Sequence, residues 1–132
     1  SLRLEASGAG DFSAAAIAEG AVIEITGAGK ANLAGVTGTL EIDSTGAGAV
    51  VVNGGAVGEA NIELSGAGDV EIAAPIQHLN ADIVGPGEIR VTATVGDVEV
   101  EIKGPGSVNL RAVSGRIIRQ EVAGPGAFHV GP

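Results

Sequence analysis

Seven carboxylates recur along this chain, at Glu5, Glu24, Asp43, Glu63, Asp82, Glu101 and Glu121, separated by 19, 19, 20, 19, 19 and 20 residues. If the chain folds back once per interval, they form a ladder of hard oxygen ligands on one face. Calcium accepts several oxygens in loose geometry, so all seven are candidates for a row of weak Ca²⁺ sites. The competing expectation is a solubilising face that also keeps sheet edges from aggregating. Neighbours about 5 Å apart repel by roughly 0.5 kcal/mol each after screening by water and salt. A surface tolerates that cost, and it draws cations.

Other chemistry is thin. The position after each glycine triplet reads Asp11, Lys30, Ala49, Asp69, Glu88, Ser107 and Ala127. Calcium-binding nonapeptide repeats need Asp in every turn and a period of nine, so this column does not match them. His78 follows Pro75 in an expected turn, and His129 falls on an outward register near the C-terminus; neither has a partner histidine, and both read as surface residues. Gly27-Ala28-Gly29-Lys30 lacks the spacing and the following Ser/Thr of a phosphate-binding loop. Paired carboxylates about 5 to 9 Å apart could hydrolyse a glycoside, but adjacent acidic rungs meet that distance trivially. Minimal corners would also give no cleft to exclude water. No catalytic residue and no cofactor is expected apart from the weak calcium candidates.

The elements that position these residues follow from one period. Gly-Ala-Gly or Gly-Pro-Gly occurs seven times, starting at Gly8, Gly27, Gly46, Gly66, Gly85, Gly104 and Gly124. A fixed period near twenty means one unit copied and stacked. Apolar residues lie four and two positions before the triplets (Ile23 and Ile25, Ile62 and Leu64), with Ser44 and Gln120 the exceptions, and four and six after each (Val50 and Val52, Val70 and Ile72). That two-residue spacing is strand periodicity with one face buried. A third apolar position follows at Ile17, Val36, Val57, Ile76, Val95 and Val113. Each repeat reads as strand, tight glycine corner, strand, looser corner and short third strand. In Val84-Gly85-Pro86-Gly87 the expected corner is a type II turn, with proline presetting φ and Gly87 taking φ > 0.

Equivalent strands must then lie parallel and in register about 4.8 Å apart. The expected fold is all-β: a right-handed single-stranded parallel β-helix of about seven coils with 19–20 residues per coil. It forms one domain over 1–132, with repeats near 2–20, 21–39, 40–59, 60–79, 80–97, 98–118 and 119–132. A leucine-rich repeat fails because its spaced leucines and Asn are missing, and a left-handed hexapeptide helix would need six-residue subrepeats.

Composition sets further bounds. The 132 residues include 23 glycines and are 45% hydrophobic, with Phe12 and Phe128 the only aromatics, so the core must be thin and built of small side chains. A net charge of −9 disfavours nucleic acid and anionic membrane surfaces. No apolar run reaches membrane-spanning length, so this segment is not expected to insert directly. With no cysteine, disulfides and thiol chemistry are absent and the redox compartment is open. The chain starts at Ser1 with neither an initiator Met nor a signal peptide, as expected of a trimmed or mature form.

The run Ser65-Gly66-Ala67-Gly68-Asp69-Val70-Glu71-Ile72, with Ser7-Gly8-Ala9-Gly10-Asp11-Phe12 and Thr26-Gly27-Ala28-Gly29, resembles the head-GIN-domain family. Bacterial members carry repeated Ser-Gly-Ser-Gly-Asp-type motifs and are described as auto-transporter adhesins. The resemblance spans essentially the whole chain. It implies a β-helical protein at the cell envelope or outside it, and it supplies no catalytic residues. The chain departs from the family pattern in placing Ala or Pro between the glycines and in losing the Asp from several repeats.

The function expected from these readings is a non-enzymatic cell-surface or envelope module for adhesion or scaffolding, with a protein or surface-polymer partner. An alternative is a self-assembling scaffold stacked end to end like bactofilin; a carbohydrate-active β-helix enzyme is a third. Solenoid ends expose unpaired strand edges that need a cap or a partner. Phe12 and Phe128 fall on the same register of the first and seventh repeats and are candidates for end-stacking in a homo-oligomer.

Overall fold

The computed structural model describes residues 2–8 and 10–130; at residues 2, 4, 6, 12, 14–18, 119 and 120 the backbone alone is described. Eleven strands follow one another: β1 Leu2–Gly8, β2 Asp11–Gly27, β3 Lys30–Gly46, β4 Ala49–Val52, β5 Gly55–Gly66, β6 Asp69–Ile72, β7 Ile76–Val84, β8 Glu88–Lys103, β9 Ser107–Val113, β10 Ile117–Ala123 and β11 Ala127–Val130. No helix occurs among the described residues. Every strand pairing is parallel, with partners 18 to 20 residues apart, as in Ile23↔Ile42, Ile42↔Ile62 and Val50↔Val70. The result is a parallel β-solenoid. Seven glycine corners bound about six complete turns, a rod of about 29 Å at the parallel-strand spacing.

Each turn has three sides. The first carries the strand that ends at the glycine corner: β1, the ends of β2, β3 and β5, then β7, the end of β8, and β10. The second follows the corner, from the start of β2 through β4 and β6 to β11. The third is short. Alternation of burial along the first two sides sends Ile23, Ile42, Ile62 and Val100 inward, and likewise Leu33, Val52, Ile72 and Val91. The core is aliphatic except for Ser44, without a buried aromatic among the described side chains. Successive rungs pack their aliphatic side chains on one another in one continuous core.

The glycine corner differs from the type II turn expected of it. In Val84–Gly87 the left-handed residue is Gly85, at φ +103°, while Gly87 keeps an ordinary φ. Gly87 is needed for space instead: a Cβ there would lie 3.0 Å from the Gly68 carbonyl oxygen and 3.2 Å from Leu64 Cδ1. The first glycine therefore turns the chain and the second lets the rungs close.

The looser corners are not breaks in the ladder. β2 and β3 each run 17 residues and β8 runs 16, passing from side to side without interruption. They bend at register shifts, between Ala14 and Ile17, Glu19 and Ala21, and Val91 and Thr94, where an extra residue kinks a paired strand. These bulges slip the third side. Val57, Ile76, Val95 and Val113 are rung partners as their spacing requires. Ile17, however, pairs with Gly35, and Val36 pairs with Gly55, so the third apolar column is in register only from Val57 onward.

Candidate functional site

All seven periodic carboxylates are direct rung partners: Glu5↔Glu24, Glu24↔Asp43, Asp43↔Glu63, Glu63↔Asp82, Asp82↔Glu101 and Glu101↔Glu121. Their strands alternate, so these residues point outward opposite the buried column of Ile23, Ile42 and Ile62. A second outward column runs beside them through Val22, Glu41, Asn61, Asn80 and Glu99. Between the columns lies a shallow furrow of about 210 Å³, walled by Glu41, Asp43, Asn61, Glu63, Asn80 and Asp82.

Cations sit at the ends of this face and not in its middle. Arg3 approaches Glu5 at 3.8 Å and Lys103 approaches Glu101 at 3.3 Å. Glu24, Asp43, Glu63 and Asp82 have no ion pair among the described residues. Among those residues no group of three or more His, Cys, Asp or Glu side chains converges to hold a metal. The cause is geometric. Parallel rungs project their side chains in parallel, whereas calcium draws six to eight oxygens to 2.3–2.6 Å of one point.

His78 lies within β7 and not in a turn, and it is half-buried. Its rung partners are Glu59 and Asp97, and its Nε2 is 3.5 Å from Glu99. Glu59 also accepts a hydrogen bond from Asn61 Nδ2 at 3.0 Å, and Asp97 Oδ1 accepts one from the Arg116 backbone N–H at 3.0 Å. A groove of about 480 Å³ opens at the third side over Val57 and Ile76, rimmed by Gln77, Thr94, Asp97 and Ser114.

Phe128 is half-buried on β11 and pairs with Val108. The Phe12 side chain lies outside the described residues; its backbone pairs with Ala31. His129 is exposed, beside Asn109 on the neighbouring rung.

Two features were not singled out from the sequence. One is a groove of about 320 Å³ on the second side, formed by Arg90, Thr92, Asn109, Arg111 and His129 over Val91 and Leu110. Its signal was the crowding of basic residues after Lys103. The other is Ser44, which occupies an inward, apolar column between Ile25 and Leu64, 1% exposed. Its hydroxyl has no hydrogen-bond partner among the described residues.

The glycine-cornered rungs match, over residues 1–94 and again over 58–132, the family described as putative auto-transporter adhesin, head GIN domain. The chain belongs to that family. The two matches overlap over 58–94, which is what in-phase repeats produce: a head GIN domain can be laid on the same ladder at more than one height. No match was found among curated proteins or among solved structures.

Proposed function

We propose that this head GIN domain is a non-enzymatic adhesion module of the cell surface or another extracytoplasmic site. The observation that carries this reading is the unbroken parallel ladder: in-register outward columns make flat, repetitive faces on a stiff rod. Such faces present many equivalent contacts to a protein or surface polymer, where each is weak and together they add. The family description, an adhesin of the auto-transporter type, supports both the activity and the location. The grooves on the rod are shallow and open, which favours contact over enclosure of a reacting bond.

The test is a binding assay with the purified chain coated on beads, presented to bacterial cells and to a panel of surface polysaccharides and proteins. Adhesion that free protein competes away is expected. Polysaccharide cleavage abolished by Glu63→Gln or Asp82→Asn, without adhesion, would replace this reading with an enzymatic one.

A second reading, end-to-end stacking of coils, is favoured by the last described turn. Ile117 and Ile118 are 45% and 53% exposed there, and Val113, Val122, Phe128 and Val130 cover the core only partly. Concentration-dependent filaments in electron micrographs are its expected signature; a strictly globular mass distribution contradicts it.

A further inference from the structure

Charge is divided unevenly along the rod. Residues 1–102 carry fifteen acidic and three basic side chains, a formal −12, while residues 103–132 carry one acidic and four basic, a formal +3. On the second side this gradient becomes a surface. Arg90, Asn109 and His129 occupy one outward column on three successive rungs. Arg111 stands beside them, and the buried Val91 and Leu110 form the floor of the groove they share. Arg90 is already bridged to Glu88 at 3.2 Å, but both groups are exposed and the pair is open to exchange. Neither Arg111 nor His129 has a side-chain partner among the described residues.

We infer that this cationic groove docks a second copy of the chain, side by side, on the unpaired middle of its carboxylate column. Charge complementarity carries the inference: Arg111, without a side-chain partner among the described residues, and Arg90, held only in an exposed pair, lie on the second side near the C-terminal coils, while carboxylates without an ion pair among the described residues lie on the first side at Glu24, Asp43, Glu63 and Asp82. Spacing reinforces it. Both surfaces are built on the same parallel ladder, so donors and acceptors share a rung spacing of about 4.8 Å. Arg90, Asn109 and His129 can therefore meet three successive carboxylates, with the Asn109 amide donating to the central one. No adjustment of either backbone is needed.

The two surfaces differ in side and in height, so the contact joins unlike patches of the two copies. Rods associate laterally with a stagger, which distinguishes this contact from end-to-end stacking. It does not depend on the adhesion reading.

Net charge gives the contact an unusual salt dependence. At 0.01 M the Debye length of about 30 Å matches the rod, so each copy feels the other's full −9 and is repelled. Near 0.15 M, screening beyond about 8 Å leaves the local contact dominant, and at 1 M even that is screened. Association is therefore strongest at intermediate ionic strength.

Sedimentation velocity across these three salt concentrations tests the proposal, with thermal melts to verify folding. Wild-type chain is expected to associate most strongly near 0.15 M. The double substitution Arg90→Glu/Arg111→Glu, and separately Asp43→Lys/Glu63→Lys, should each weaken self-association at least about tenfold, and mixing the two variants should restore it. Arg90→Gln/Arg111→Gln gives a milder version should the charge reversal misfold. A wild-type chain monomeric at every salt concentration overturns the inference. So does association that survives both reversals, or that rises steadily to 1 M as end-to-end apolar stacking would.

Discussion

Ser44 stands one rung from Leu64 in the same inward column, and its hydroxyl, without a hydrogen-bond partner among the described residues, lies 2.9 Å from where a Cβ on Gly68 would sit. An unpaired buried hydroxyl costs more than the hydrogen bond it forgoes, because its desolvation is uncompensated. Ser44→Ala removes that group with almost no change in volume. It is expected to stabilise the chain by about 1 kcal/mol and to raise Tm by about 4 °C, read by differential scanning calorimetry. A fall in Tm would mean that the hydroxyl has a partner.

The carboxylate column makes a second prediction. Asp43, Glu63 and Asp82 are consecutive rung partners without intervening cations. Glu63→Lys turns two repulsions into attractions and should stabilise by about 1 kcal/mol at low ionic strength. The gain should shrink towards zero at 1 M salt, where wild-type Tm rises on its own. If the substitution destabilises at low salt, repulsion is not what limits this face.

Divalent ions test the same column differently. Because parallel side chains do not converge, Ca²⁺ and Mg²⁺ at equal ionic strength should raise Tm equally, as counterions. A saturable shift specific to Ca²⁺ in the same calorimeter would establish a coordination site among the seven carboxylates.

The corner glycines divide their labour, and substitution separates the parts. Gly85→Ala imposes a left-handed φ on a residue with a Cβ, and that Cβ would lie 3.2 Å from the Gly66 carbonyl oxygen. A cost of about 2 kcal/mol is expected. Pro86→Ala at the exposed middle of the same corner should change stability by less than about 1 kcal/mol. Equal effects in urea melts would contradict the assignment of the turn to the first glycine.

Stability should also be graded along the rod. Leu64→Ala, in the fully buried middle, is expected to cost about 3 kcal/mol. Val122→Ala, only partly buried in the last described turn, should cost less than half as much. Amide exchange should follow the same gradient, slowest at Ile42 and Ile62 and fastest along β10 and β11.

The period of nineteen or twenty residues was enough by itself to set the architecture. Only a stacked parallel ladder brings Ile23, Ile42 and Ile62, or Glu24, Asp43 and Glu63, onto successive rungs, and the two-residue alternation decided which set faces inward. Those are local rules repeated, and repetition makes them legible. The tertiary structure decided what depends on how rungs settle on one another. It put the positive φ at Gly85 and not at Gly87, and left Gly87 to be glycine for space, since a Cβ there would meet the Gly68 carbonyl oxygen. It slipped Ile17 and Val36 out of the third column, because the corners are bulges whose extra residue spacing alone does not locate. It placed His78 against Glu99, and it assembled Arg90, Asn109, Arg111 and His129 into one groove. His78 meets Glu99 at a diagonal offset, and Arg111 stands two residues along from the column of Arg90, Asn109 and His129; a register shift of one residue would have scattered such neighbours to opposite faces.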